Sequence, residues 1–168
     1  MEFEEIIRKR TSVRKFSNKK IEKEKLDKIL EAGRLAPTAK NNQPIKIYVI
    51  ESKEGIEKID KLSRCRYGAE TVLIVCENKN DSYHKGDYTT AEMDSCIVAT
   101  HMMLEATNIG VDNIWVEAFD EKMLREEFAI PSEYTPYLLM PLGYKAEDCP
   151  ISPFHDKRKA LEDIVEYK

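Results

Sequence analysis

Thr71-Val72-Leu73-Ile74-Val75-Cys76 sets the architecture of this chain. Apolar side chains fall on both faces of the run, so it predicts a strand covered on both sides and central in its sheet. Such a strand needs helices above and below, and the flanking sequence supplies them. Downstream, Asn78 to Tyr88 is polar and irregular. Thr90 to Asn108 then carries Met93, Ile97, Thr100, Leu104 and Thr107 at helical spacing, which predicts the longest helix, closed by Gly110. Upstream, Lys46-Ile47-Tyr48-Val49-Ile50 predicts a second strand and Lys53 to Leu62 a charged helix.

Further from the centre, Phe3, Ile6 and Ile7 mark a helix over residues 2 to 9. Ile21, Leu26, Ile29, Leu30 and Gly33 mark another, broken before Pro37. Asn113 to Phe119 predicts a third strand, and Asp120 caps a helix through Phe128. Tyr137 to Leu142 predicts a fourth strand, leading into a turn at Gly143-Tyr144. The order is that of a layered α+β or α/β domain. At 168 residues the chain suits one domain. The tail from about 145 to 168 is polar apart from Leu161, Ile164 and Val165. It buries little by itself and is expected to lie on a partner in a homodimer with exchanged ends.

Composition narrows the function. No apolar run approaches the roughly 20 residues that span a membrane, and the opening Met1-Glu2-Phe3-Glu4-Glu5 lacks a signal-peptide layout. A cytoplasmic location and no membrane partner are expected. The net charge of −4 divides into +6 over residues 1 to 46 and −10 over the rest. Most N-terminal lysines alternate with glutamate on a helix, so a nucleic-acid partner is not expected. Cys65, Cys76, Cys96 and Cys149 form no CxxC pair and read as small buried residues. His84, His101 and His155 are scattered, so no metal site is expected.

Four stretches carry polar chemistry. Arg10-Thr11-Ser12-Val13-Arg14 offers two guanidiniums, two hydroxyls and backbone N–H groups, the donor set a phosphate monoester needs. Taken alone it is also compatible with a solvated basic turn. Ala36 to Pro44 is a stiffened loop whose amides and hydroxyls could read a heterocycle edge, or simply connect two elements. Trp115 in Asn113 to Phe119 is either an aromatic wall or a core residue. His155-Asp156-Lys157-Arg158-Lys159 is a second phosphate contact or a polar tail.

In their order and separation these stretches resemble the FMN-dependent nitroreductase family. The resemblance includes Arg10 to Phe16, the Ala36-Pro37-Thr38-Ala39 loop with Asn41 and Gln43-Pro44, and Asn108-Ile109-Gly110-Val111. It continues through Trp115 to Phe119, Leu142-Gly143-Tyr144 and Arg158 to Val165. It implies a three-layer α/β/α fold with a central, mostly antiparallel sheet in an intertwined homodimer. It implies that Arg10, Thr11, Ser12 and Arg14 hold the FMN phosphate, helped by Arg158. Pro37, Thr38, Ala39, Asn41 and Gln43 would reach the flavin of the other subunit. Trp115, Val116, Glu117 and Ala118 would form the strand whose backbone N–H, at Glu117, meets flavin N5. NADH or NADPH would donate hydride to N5, and a small acceptor such as a nitroaromatic or a quinone would then be reduced, with no side chain as acid or base. Other flavin chemistry on this fold, or a non-enzymatic FMN-binding module, are the alternatives. Ile45 stands where many members have Trp, and Glu117-Ala118 where many have Gly-Gly. Between Leu62 and Gly68 the resemblance assigns no contact, although Arg64 and Arg66 lie there.

Overall fold

The computed structural model describes residues Met1–Lys168. Along the chain run α1 (Phe3–Lys9), α2 (Lys23–Leu35), β1 (Ile45–Ile50), α3 (Lys53–Leu62) and β2 (Thr71–Asn78). Then come β3 (His84–Lys85), β4 (Tyr88–Thr89), α4 (Ala91–Asn108), β5 (Asp112–Asn113), α5 (Glu121–Glu127) and β6 (Tyr134–Gly143). The main sheet has the order β1-β2-β6-β5 and is antiparallel throughout. Ser12 adds one parallel bridge to Asn113 at its edge.

β2 is central, as its sequence requires, and Thr71 through Glu77 are all buried. Successive side chains of a strand point to opposite faces. Val72, Ile74 and Cys76 therefore pack with Ile59, Leu62 and Leu124 of α3 and α5. Leu73 and Val75 pack with Leu26, Ile29, Val98 and Met102 of α2 and α4. The result is the expected three-layer α/β/α arrangement.

Three sequence expectations are corrected. The strand over 113–119 pairs regularly only at Asp112–Asn113, with one isolated bridge from Val116 to Leu139. Beyond Val116 the chain leaves the sheet, because the Ala118 carbonyl accepts from Ser63 Oγ at 2.7 Å and the Phe119 N–H turns back to the Glu117 carbonyl. Gly143 is the last residue of β6 rather than a turn. A Cβ there would lie 3.0 Å from Phe16 Cδ1, so the glycine lets the 12–17 segment lie flat on the sheet. Cys76 and Cys149 are buried, whereas Cys65 and Cys96 are half-buried.

Candidate functional site

The Arg10–Arg14 stretch is shaped by two buried anchors, Val13 and Phe16, both in the core on the α3/α5 face. The Val13 N–H donates to the Asn113 carbonyl at 3.1 Å, the Phe16 N–H to the Tyr67 carbonyl at 2.9 Å, and the Ser17 N–H to the Tyr144 carbonyl at 2.8 Å. With these positions turned inward, Arg10, Thr11, Ser12 and Arg14 line a recess of about 230 Å³.

Its other wall comes from the far end of the chain, with Ser152, Phe154, His155 and Arg158. The His155 ring bonds the Arg8 carbonyl through Nε2 at 3.1 Å, which ties this tail segment to the end of α1. No carboxylate lines the recess. Burial, and Arg158 beside it, lower the Arg10 guanidinium from its ordinary pKa. Two guanidiniums crowded without a counter-charge, beside two hydroxyls, are a donor set whose chemistry suits a phosphate.

Asn113 leads from this recess to the Trp115–Ala118 segment. Its Nδ2 donates to the Met103 carbonyl and to Thr107 Oγ1, fixing β5 to the end of α4. Its buried Oδ1 has no partner in the chain. A polar recess of about 190 Å³ lined by Lys9, Thr11, Thr107 and Asn113 lies alongside, roomy enough for ordered water. Glu117 stands four residues beyond Asn113, at most about 13 Å along an extended chain. Trp115 Nε1 donates to Glu117 Oε1 at 2.7 Å, which draws that carboxylate sideways. Glu117 and Ala118 are exposed, and their N–H groups donate to no other atom of the chain.

The Ala36–Pro44 loop lies elsewhere. The Ala39 N–H donates to Asp94 in the first turn of α4, whereas Thr11 and Thr107 share a recess at the other end of that helix. Asp94 and Thr107 are 13 residues apart on α4, about 20 Å at the helical rise. The loop and the arginine recess of one chain are thus at opposite ends of α4. Lys40, Asn41 and Gln43 all have positive φ, 52°, 56° and 52°. Each such non-glycine residue costs on the order of 1 kcal/mol or more, so the loop's conformation is imposed by its neighbours.

A family model described as the nitroreductase family matches residues 7–70 and 64–144. The chain belongs to the nitroreductase family. A nitroreductase family protein from Clostridium difficile 630 has a crystal structure that superposes with a TM-score of 0.93 at 37% identity, covering 100% of this chain and 99% of that one. A Methanothermobacter thermautotrophicus protein, named provisionally as an NADH dehydrogenase/NAD(P)H nitroreductase, is 29% identical over 157 residues, 88% of this chain and 80% of its own. A Bacteroides fragilis nitroreductase solved with bound FMN has a TM-score of 0.78 at 23% identity over 100% of both chains, a likeness of fold.

Within this nitroreductase fold the first motif and Arg158 meet, and the Glu117 segment follows Asn113, whose carbonyl accepts the Val13 N–H. Sequence reasoning did not find Ser63, which holds the Ala118 carbonyl and also accepts from the Cys65 N–H at 3.1 Å. Nor did it find Asp94 behind the loop, or the recess residues Ser152 and Phe154. No local pattern signals them, because each acts across a long separation in sequence. Arg66 is engaged otherwise, with Asp60 at 2.7 and 2.8 Å and the Ala69 carbonyl at 2.7 Å. Arg64 is exposed.

Proposed function

We propose that the chain is an FMN-dependent oxidoreductase that takes electrons from NADH or NADPH and passes them to a small acceptor such as a nitroaromatic or a quinone. The observation that carries this reading is the meeting of Arg10 and Arg158, from opposite ends of the sequence, in one recess with Thr11, Ser12 and Arg14 and no carboxylate. Those residues fit the phosphate of FMN. The free N–H groups of Glu117 and Ala118 fit the edge of its ring. Bound FMN supplies a centre that accepts hydride at N5 and gives it up again.

The residues of the chain bind and orient. Arg10, Arg14 and Arg158 neutralise the phosphate, and Thr11 and Ser12 add short hydroxyl donors. The Glu117 N–H is left to orient the ring, while Trp115 holds the Glu117 carboxylate aside. Pro37, Thr38, Ala39, Asn41 and Gln43 serve the flavin of a second subunit, since within one chain the loop and the recess lie at opposite ends of α4. Residues 1–168 form one domain of a homodimer; the segment from 145 to Arg158 packs on its own chain, and the tail beyond Arg158 reaches the partner. What supports this is its apolar exposure: Leu161, Ile164 and Tyr167 are 66%, 66% and 91% exposed.

The test is the visible spectrum of the protein incubated with FMN, before and after anaerobic NADH and NADPH. Flavin bands that bleach with either nucleotide are expected. Bands that persist would favour a binding module or another electron donor, and failure to take up FMN would overturn the reading.

A further inference from the structure

Asp94 is 2% exposed and uses both carboxylate oxygens. Oδ1 accepts the Ala39 N–H at 2.9 Å, and Oδ2 accepts the Thr90 hydroxyl at 2.8 Å. Ala39 immediately precedes the left-handed pair Lys40 and Asn41. Pinning its N–H therefore sets where the turn begins. Within the loop, the Asn41 and Asn42 N–H groups donate to the Thr38 and Ala39 carbonyls, and at its end the Pro44 carbonyl accepts the Asn78 N–H. The other side-chain ties of the loop lie nearer the solvent. Thr38 Oγ1 accepts the Gln43 N–H at 3.0 Å, and Asn42 Nδ2 donates to the Asp81 carbonyl at 2.9 Å. Water competes for those partners, whereas a buried carboxylate with both oxygens engaged keeps one orientation. A backbone strained at three positions persists only where its surroundings over-determine it.

We propose that Asp94, fixed by Thr90, is the positioning residue of the cofactor site. It does not touch the flavin. It holds the Pro37–Gln43 loop in the strained form that receives the flavin of the other subunit, so that the loop is ordered before binding. This rests on the reading of that loop as a flavin contact.

The test compares Asp94→Ala, Asp94→Asn and Thr90→Val in the full chain. Asparagine keeps an acceptor for the Ala39 N–H and can donate to Thr90, whereas alanine does neither. Hydrogen exchange at the Ala39 and Gln43 amides, measured without FMN, is expected to quicken at least tenfold in Asp94→Ala and to stay near wild type in Asp94→Asn. The FMN dissociation constant is expected to rise at least tenfold in the first and less than threefold in the second. Thr90→Val keeps the shape of the core and removes only the hydroxyl that fixes Asp94. It should quicken Ala39 exchange severalfold, which keeps the proposal testable if Asp94→Ala does not fold. Unchanged Ala39 exchange in Asp94→Ala and in Thr90→Val, or equal damage from alanine and asparagine, would overturn it. Faster exchange with unchanged FMN affinity would instead leave Asp94 as the loop's anchor and overturn the placing of the loop at the flavin.

Discussion

Arg10 and Glu77 are opposite cases of an ionisable group taken from water. Arg10 lines a recess that a phosphate could fill. A charge-assisted hydrogen bond contributes about 1.5–3 kcal/mol, so Arg10→Ala should weaken FMN binding by roughly ten- to a hundredfold in a fluorescence titration. Unchanged affinity would remove Arg10 from the phosphate site. Glu77 is fully buried and accepts only from Ser82 and, at 3.1 Å, from Ser95. Burial, more than nearby Asp94, pushes its carboxyl up to about 7. The unfolded chain loses this proton near the ordinary value of 4.5, whereas the folded chain keeps it to about 7. Stability from this group is therefore complete below 4.5 and is lost as pH rises to about 7, by on the order of 3 kcal/mol. Glu77→Gln should flatten that slope in urea unfolding followed from pH 5 to 8, and a slope identical to wild type would show that Glu77 is not its source. Nothing near Glu77 in the sequence marks it, since its hydroxyl partners arrive from a loop and from α4.

Elements were legible where their periodicity was unbroken. β2 follows from an apolar pattern that holds from end to end, and Asp120 caps α5 as expected, accepting the Met123 N–H at 2.9 Å. α4 forms where expected, but Met93, Ile97 and Thr100 of its stripe are exposed, and the face it buries is that of Ala91, Ser95, Val98, Ala99 and Met102. The strand over 113–119 was not legible, because whether β-prone residues pair depends on what lies beside them. Ser63 draws the Ala118 carbonyl away at that point. α2 and α4 meet at Gly33, where a Cβ would lie 2.9 Å from both Cγ and Sδ of the fully buried Met102. Alanine is the better helix former by about 1 kcal/mol, but overpacking costs about 1–3 kcal/mol. Gly33→Ala should therefore lower the urea midpoint, and a raised midpoint would mean that Met102 repacks without cost.

At the scale of the molecule, the exposed tail is the feature a single chain leaves unexplained. Every residue from 159 to 168 is exposed, including Leu161, Ile164 and Tyr167. A chain ending at Arg158 should keep its core and its recess but associate at least tenfold more weakly in sedimentation equilibrium. Equally tight association would place the interface elsewhere. By itself the sequence determined the layers, since a strand apolar on both faces must be covered twice, and it determined which donors could suit a phosphate. Its ordered motifs also pointed to the family. Only the tertiary structure decided that Arg158 stands beside Arg10 while the Ala36–Pro44 loop lies at the other end of α4. Side-chain chemistry and local periodicity are properties of neighbours in sequence, whereas these distances arise when the chain closes on itself and α4 spans the space between its two ends.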